Sequence, residues 1–151
     1  MTRFVMAHTL SSMIDIVLDT NVFVAALRSE GGAAREVVRR ILQGHYRPLF
    51  GNALWLEYQD LLGRDVWANE TTAAERLQVL SALAQAGRWV SVYYGWRPNL
   101  PDEADNHLIE LAVAGNAAAI VTHNRRDVAR GELLWKSLRV LTPAQCLENL
   151  K

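Results

Sequence analysis

Asp19, Glu57, Asp102, Asp105 and Asp127 are the acids of this chain whose positions suggest shared chemistry. Carboxylates crowded onto one site repel each other and resist ionisation unless something positive lies between them. Lysine is scarce, with only Lys136 and Lys151 present, and neither adjoins these acids in sequence. Oxygen donors without a lysine counter-charge call for a hard divalent cation, Mg²⁺ or Mn²⁺. Zinc suits the chain less, because one cysteine and four scattered histidines show no ligand spacing.

Whether these acids can meet depends on the elements that carry them. Ile14 to Leu18 is a nearly continuous apolar run, the pattern of a strand buried on both faces of a parallel sheet. It stops at Asp19-Thr20-Asn21, residue types that cap helices, and a helical run containing Ala25-Ala26 follows. Asp19 thus stands where a strand hands over to a helix, the place where open α/β sheets bind ligands. Its carboxylate either caps the helix or reaches into a crevice.

Ser29-Glu30-Gly31-Gly32 breaks the first helix, and Ala33 to Leu42 reads as a second, closed by Gly44. Arg35, Arg39 and Arg40 cover its polar face, which is read as solvated surface in preference to a contact for RNA or a partner. Tyr46 to Phe50 is a second strand, placed by Pro48 near a sheet edge or at a strand start. Asn52 is expected to cap a helix over Ala53 to Leu62. Glu57 lies inside it among apolar neighbours, where a glutamate is rarely left without a partner.

Thr71/Thr72 to Ala86 is a further amphipathic helix, and Arg88 to Tyr94 a third strand rich in Val, Trp and Tyr. After a turn over Gly95 to Pro101, acids concentrate at the start of the helix that begins Asp102-Glu103-Ala104-Asp105-Asn106-His107. That is where the positive end of the helix dipole favours them. Ala117 to Val121 is a fourth, buried strand closed by Thr122 to Asp127. Leu138 to Leu141 is the fifth, and Pro143 opens a last helix to Leu150.

Strands alternating with helices imply an α/β fold built on a parallel, mostly doubly wound sheet. Its strands point their carboxyl ends one way, so Asp19 and the loop 122–127 share a rim. Asp102 and Asp105, three apart in a first helical turn, can face the same side. Taken singly, each acid has a plainer role: Asp19 as a helix cap, the acids at 102–105 as partners of the dipole, Glu57 as a partner of an arginine, Asp127 as the cap of a short helix. The joint arrangement favours a metal.

The bulk composition narrows the class. A chain of 151 residues, half of them apolar, reads as one globular domain over 13–151, with 1–12 as a disordered lead-in. Basic and acidic side chains number 16 each, so no overall field attracts nucleic acid indiscriminately, although nearly all the cations are arginines suited to a local phosphate groove. No apolar stretch approaches the roughly 18 residues of a membrane span. A lone cysteine, Cys146, excludes an internal disulfide framework and fits a cytoplasmic protein.

The run Ile16-Val17-Leu18-Asp19-Thr20-Asn21-Val22, Glu57 within its helix, Asp102 to Asp105 before an Ala-rich helix, and Ile120-Val121-Thr122-His123-Asn124-Arg125-Arg126-Asp127-Val128 together resemble the PIN-domain nucleases. Among them, the chain is most similar to the bacterial toxins of toxin–antitoxin modules, VapC-like proteins. The resemblance runs from about Ile14 to Leu147. It implies a three-layer α/β/α sandwich on a sheet of about five strands, and a Mg²⁺- or Mn²⁺-dependent endoribonuclease that cuts single-stranded RNA.

On that match Asp19, Glu57 and Asp105 are the metal-binding acids, with Asp102 an additional ligand or a support for one. The family's fourth acidic place, two residues after Thr122, holds Asn124. An amide offers oxygen but no charge, which implies weaker metal affinity; Asp127 in the same loop would compensate or hold the loop's shape. Thr20, Asn21 and Thr122 would orient the ligands, and Arg125 and Arg126 would meet substrate phosphate. The resemblance also implies a cognate antitoxin and a homodimer, for which Trp67, Trp96 and Trp135 are candidate exposed aromatics, although tryptophans suit a core equally well.

Two other functions fit acids at strand ends. A PIN-like module that binds RNA or protein without cutting is favoured by Asn124. A response-regulator-like phosphoacceptor would need an aspartate after a middle strand and a lysine after a late one; the third strand ends in Tyr-Tyr-Gly and no suitable lysine exists.

Overall fold

The computed structural model describes residues 13–28, 32–67, 71–92, 103–124 and 138–151. In it the apolar run Ile14–Leu18 forms β1, and Ile16, Val17 and Leu18 are buried although they alternate between the sheet's faces. Thr20–Leu27 forms α1 and Gly32–Leu42 forms α2, whose chain then turns through Gly44 at φ +87° into β2, Tyr46–Phe50. Helices α3 (Asn52–Leu62) and α4 (Ala73–Ala86) lead to the two-residue β3, Arg88–Trp89. Helix α5 (Glu103–Ala114), β4 (Ala119–Val121), β5 (Arg139–Leu141) and α6 (Pro143–Asn149) complete the order.

The strands form one sheet in the order β3-β2-β1-β4-β5, and every neighbouring pair is parallel. From the central β1 the chain steps outward to β2 and β3, then returns to the other flank for β4 and β5. With right-handed crossovers, α1 to α4 lie over one face and α5 over the other. The result is a three-layer α/β/α sandwich. Its direction reverses between β1 and β4, and in open α/β sheets that reversal is where a crevice opens at the carboxyl ends of the strands.

Packing holds that rim firmly. Phe23 of α1 meets Tyr58 of α3 and Trp67 edge to face, with ring centroids 5.3 and 5.9 Å apart. Toward the opposite end of β1, the carboxylate of Asp15 accepts from Arg47 at 2.6 and 3.1 Å and from Arg88 at 3.2 Å. That three-way ion pair ties β1, β2 and the start of β3 together. Among the described residues no helix is long and apolar enough to cross a membrane.

Four local expectations are corrected. β2 is an interior strand despite Pro48: Val90 N–H donates to Phe50 O, so Phe50 and, two residues earlier, Pro48 turn toward β3, which begins only opposite Leu49. The missing N–H of Pro48 therefore interrupts no ladder. The third strand stops at Trp89 and not at Tyr94, because β2 turns away into α3 after Phe50 and offers nothing further to pair with; Tyr93 and Tyr94 lie outside the described residues. Gly51, not Asn52, is the residue before the first turn of α3. Trp67 is buried against Phe23 with the Arg76 guanidinium 4.9 Å from its ring centre, whereas Trp89 is the tryptophan more than half exposed. Residues 1–12, Trp96 and Trp135 lie outside the described residues.

Candidate functional site

Asp19 precedes the first turn of α1 in extended backbone, but its carboxylate makes no helix-capping bond. It turns across the strand ends instead. Its Oδ2 accepts from the Thr122 hydroxyl at 2.8 Å and from the Asn21 amide at 3.3 Å. The backbone makes the meeting inevitable: Leu18 pairs with Val121, and Asp19 N–H donates to Val121 O at 2.9 Å. The residues that follow β1 and β4 therefore leave the sheet side by side, at the topological reversal.

Thr122 is fully buried and its hydroxyl is saturated. While donating to Asp19, it accepts from Asn21 Nδ2 at 3.3 Å and from Asn124 N–H at 3.0 Å. Asn21 closes the circuit, its Oδ1 accepting from His123 N–H at 3.2 Å. One hydroxyl and one amide thus bind the loop after β4 to the start of α1. Burial pushes the Asp19 carboxyl up from its ordinary value; the Thr122 bond opposes this and the nearby charge of Glu57 adds to it.

Glu57 reaches the same rim from α3. The next residue, Tyr58, donates its buried hydroxyl to Leu18 O at 2.8 Å, which sets the height of α3 against the end of β1. Glu57 Oε1 then accepts from the Thr20 hydroxyl at 3.0 Å, one residue beyond Asp19. Its other oxygen, Oε2, lies 2.8 Å from His107 Nε2 of α5. The His107 contact, more than any other, holds the Glu57 carboxyl below its usual range. Among the described residues the glutamate's hydrogen-bonding partners are thus a threonine and a histidine, and Arg64 acts on it only through its charge.

The described residues bring together Asp19, Thr20, Asn21, Glu57 and Thr122, with Asn124 joined through its backbone. Asp105 is the third residue of α5, two before His107; its side chain lies outside the described residues. Asp102, Arg125, Arg126 and Asp127 lie outside them altogether. Two groups had no role in the sequence expectations for the site: His107, and Tyr58 as the strut of α3. The signal for His107 was its place one turn before the buried Glu110 and Leu111, where a polar side chain faces neighbouring structure.

Among the described residues, no three Asp, Glu, His or Cys side chains form a set able to hold a metal ion. The donor chemistry nevertheless fits one. The charge of Glu57 raises the cost of ionising Asp19, and the groups hydrogen-bonded to Asp19 are uncharged hydroxyl and amide donors, with His107 only a weaker offset. Such a set of hard oxygens suits Mg²⁺ or Mn²⁺.

Comparison with known proteins agrees with this architecture. A family model described as PIN domain matches residues 15–126. A chain of the crystal structure of VapBC2 from Rickettsia felis, bound to a DNA fragment from their promoter, superposes with a TM-score of 0.56 at 12% sequence identity, over 85% of this chain and 98% of that one. No curated protein matches this chain.

Proposed function

The chain belongs to the PIN domain family, and from that premise we propose that it is a metal-dependent endoribonuclease cutting single-stranded RNA, the toxin of a toxin–antitoxin pair. The observation that carries this reading is the meeting of Asp19 and Glu57 at the reversal point of the sheet. Each is held by its own donors, and Thr20 links their neighbourhoods. Among the described residues the hydrogen-bond donors to the Asp19 side chain are neutral, and no arginine is paired with it.

Asp19, Glu57 and Asp105 would hold Mg²⁺ or Mn²⁺. When bound, such an ion lowers the pKa of a water and offsets charge developing on a phosphate. The chain's own part is orientation. Thr122 and Asn21 hold Asp19 Oδ2, and Thr20 fixes one oxygen of Glu57. Asp102 and Asp127 would add charge to the same rim, Asn124 a neutral oxygen, and Arg125 and Arg126 would grip substrate phosphate. The toxin role extends the likeness to a chain of the VapBC2 structure. A cognate antitoxin, a homodimer and a cytoplasmic location belong to the same proposal.

A second reading, a PIN-like module that binds RNA or protein without cutting it, is favoured by Asn124, which removes one negative charge from the ligand set. Asp19→Asn separates the two. Under the nuclease reading, Mn²⁺-dependent cleavage of a single-stranded RNA falls to background in the variant. Wild-type protein that binds RNA without cutting it, with equal affinity in the variant, would establish the module.

A further inference from the structure

Among the described residues, His107 is the group in contact with Glu57 that comes from the opposite helical layer. It is the fifth residue of α5, while Glu57 belongs to α3, and the 2.8 Å contact between Nε2 and Oε2 joins the two helices over the rim. Its other ring nitrogen, Nδ1, is buried and has no hydrogen-bond partner. The ring also borders a hole of about 10 Å³ between Gly51, Asn52, Leu54 and Glu110, room for no more than one water. The imidazole therefore directs its Nε2–H at a single acceptor.

Glu57 has much to lose without that bond. Its side chain is 39% exposed, so packing alone does not choose its rotamer. Thr20 fixes one oxygen and His107 the other, using two of the carboxylate's four acceptor positions. Among the described residues nothing occupies the other two, which can serve a ligand in an orientation set from both sides. We propose that His107 is a positioning residue: it clamps Glu57 in the rotamer that presents the carboxylate to the divalent ion, and so sets the affinity for that ion. This rests on the metal-dependent reading above.

The test compares two variants of similar side-chain volume, His107→Gln, which keeps an N–H donor, and His107→Met, which has none. Mn²⁺ binding is measured by titration calorimetry on the full chain without RNA, and RNA cleavage as a function of Mn²⁺ concentration. His107→Met is expected to weaken Mn²⁺ binding by roughly 10–100-fold, the usual effect of losing a group that orients a metal ligand. Its cleavage rate at saturating Mn²⁺ stays close to wild type, and His107→Gln recovers most of the lost affinity. Asp19→Asn, run alongside, abolishes Mn²⁺ binding. If Asp19→Asn binds no Mn²⁺ and His107→Met binds it as tightly as wild type, the positioning role is overturned while the metal site stands. Loss of rate at saturating Mn²⁺ with unchanged affinity would also overturn it. Mn²⁺ binding that survives Asp19→Asn would overturn the metal-site reading itself.

Discussion

The Thr122 hydroxyl donates to the Asp19 carboxylate across 2.8 Å, joining residues 103 positions apart at the point where the sheet reverses direction. Because the same hydroxyl accepts two further bonds, it cannot be removed without disturbing Asn21 and the backbone of Asn124. Thr122→Val keeps the shape and deletes the hydroxyl. It is expected to cost about 1–3 kcal/mol in urea unfolding at neutral pH, the range for stranding buried polar partners. Thr122→Ser should stay near wild type, and equal stability of the Val and Ser variants would show that the hydroxyl holds nothing.

Asp19 is expected to be a site where function opposes stability. Burial raises its folded-state pKa, so it contributes most to stability at low pH, and that contribution is lost as pH rises through the folded value. At neutral pH the ionised carboxylate is a net cost in metal-free protein. Asp19→Asn should therefore raise the melting midpoint of metal-free protein by about 2–4 °C. A lower midpoint would mean that the charge itself stabilises the rim.

Glu57 carries the opposite sign. His107 holds its carboxyl below the ordinary value of 4.5, so its contribution is present above that value and is lost as pH falls through the lower folded value. Wild-type protein should lose this contribution as pH falls below 4.5. Glu57→Gln should show a shallower fall in stability over the same range, measured as urea midpoints at each pH; parallel profiles would deny Glu57 its part.

Far from the rim, Asp15 is expected to matter for folding alone. It satisfies both Arg47 and Arg88, and all three side chains are only partly exposed. Asp15→Ala leaves two half-buried guanidinium groups without their carboxylate, at an expected cost of about 1–2 kcal/mol after allowance for solvent screening. RNA cleavage well below the melting midpoint should be unchanged, since the substitution sits at the other end of β1.

Much of this arrangement was legible in the residues. The apolar runs of β1 and β4, each ended by a polar residue at a carboxyl terminus, place Asp19 and Thr122 together as soon as the strands are read as parallel. Glu57 was marked by being a glutamate among core positions. What it would touch was not legible, because that depends on how α3 and α5 rotate against the sheet; Tyr58 sets one rotation and His107 reports the other. Pro48 misled for a related reason. Proline penalises one hydrogen-bonding edge, and whether a neighbour needs that edge depends on where β3 begins, a matter of strand order and not of local sequence.

The central claim is that Asp19 and Glu57 serve one divalent ion. Anomalous diffraction from crystals grown with Mn²⁺ tests it directly. The expected result is a single strong peak on the rim within about 2.5 Å of an Asp19 oxygen, with Glu57 bound to the ion directly or through a water. An ion held elsewhere, with Asp19 still engaged only by Thr122 and Asn21, would contradict it.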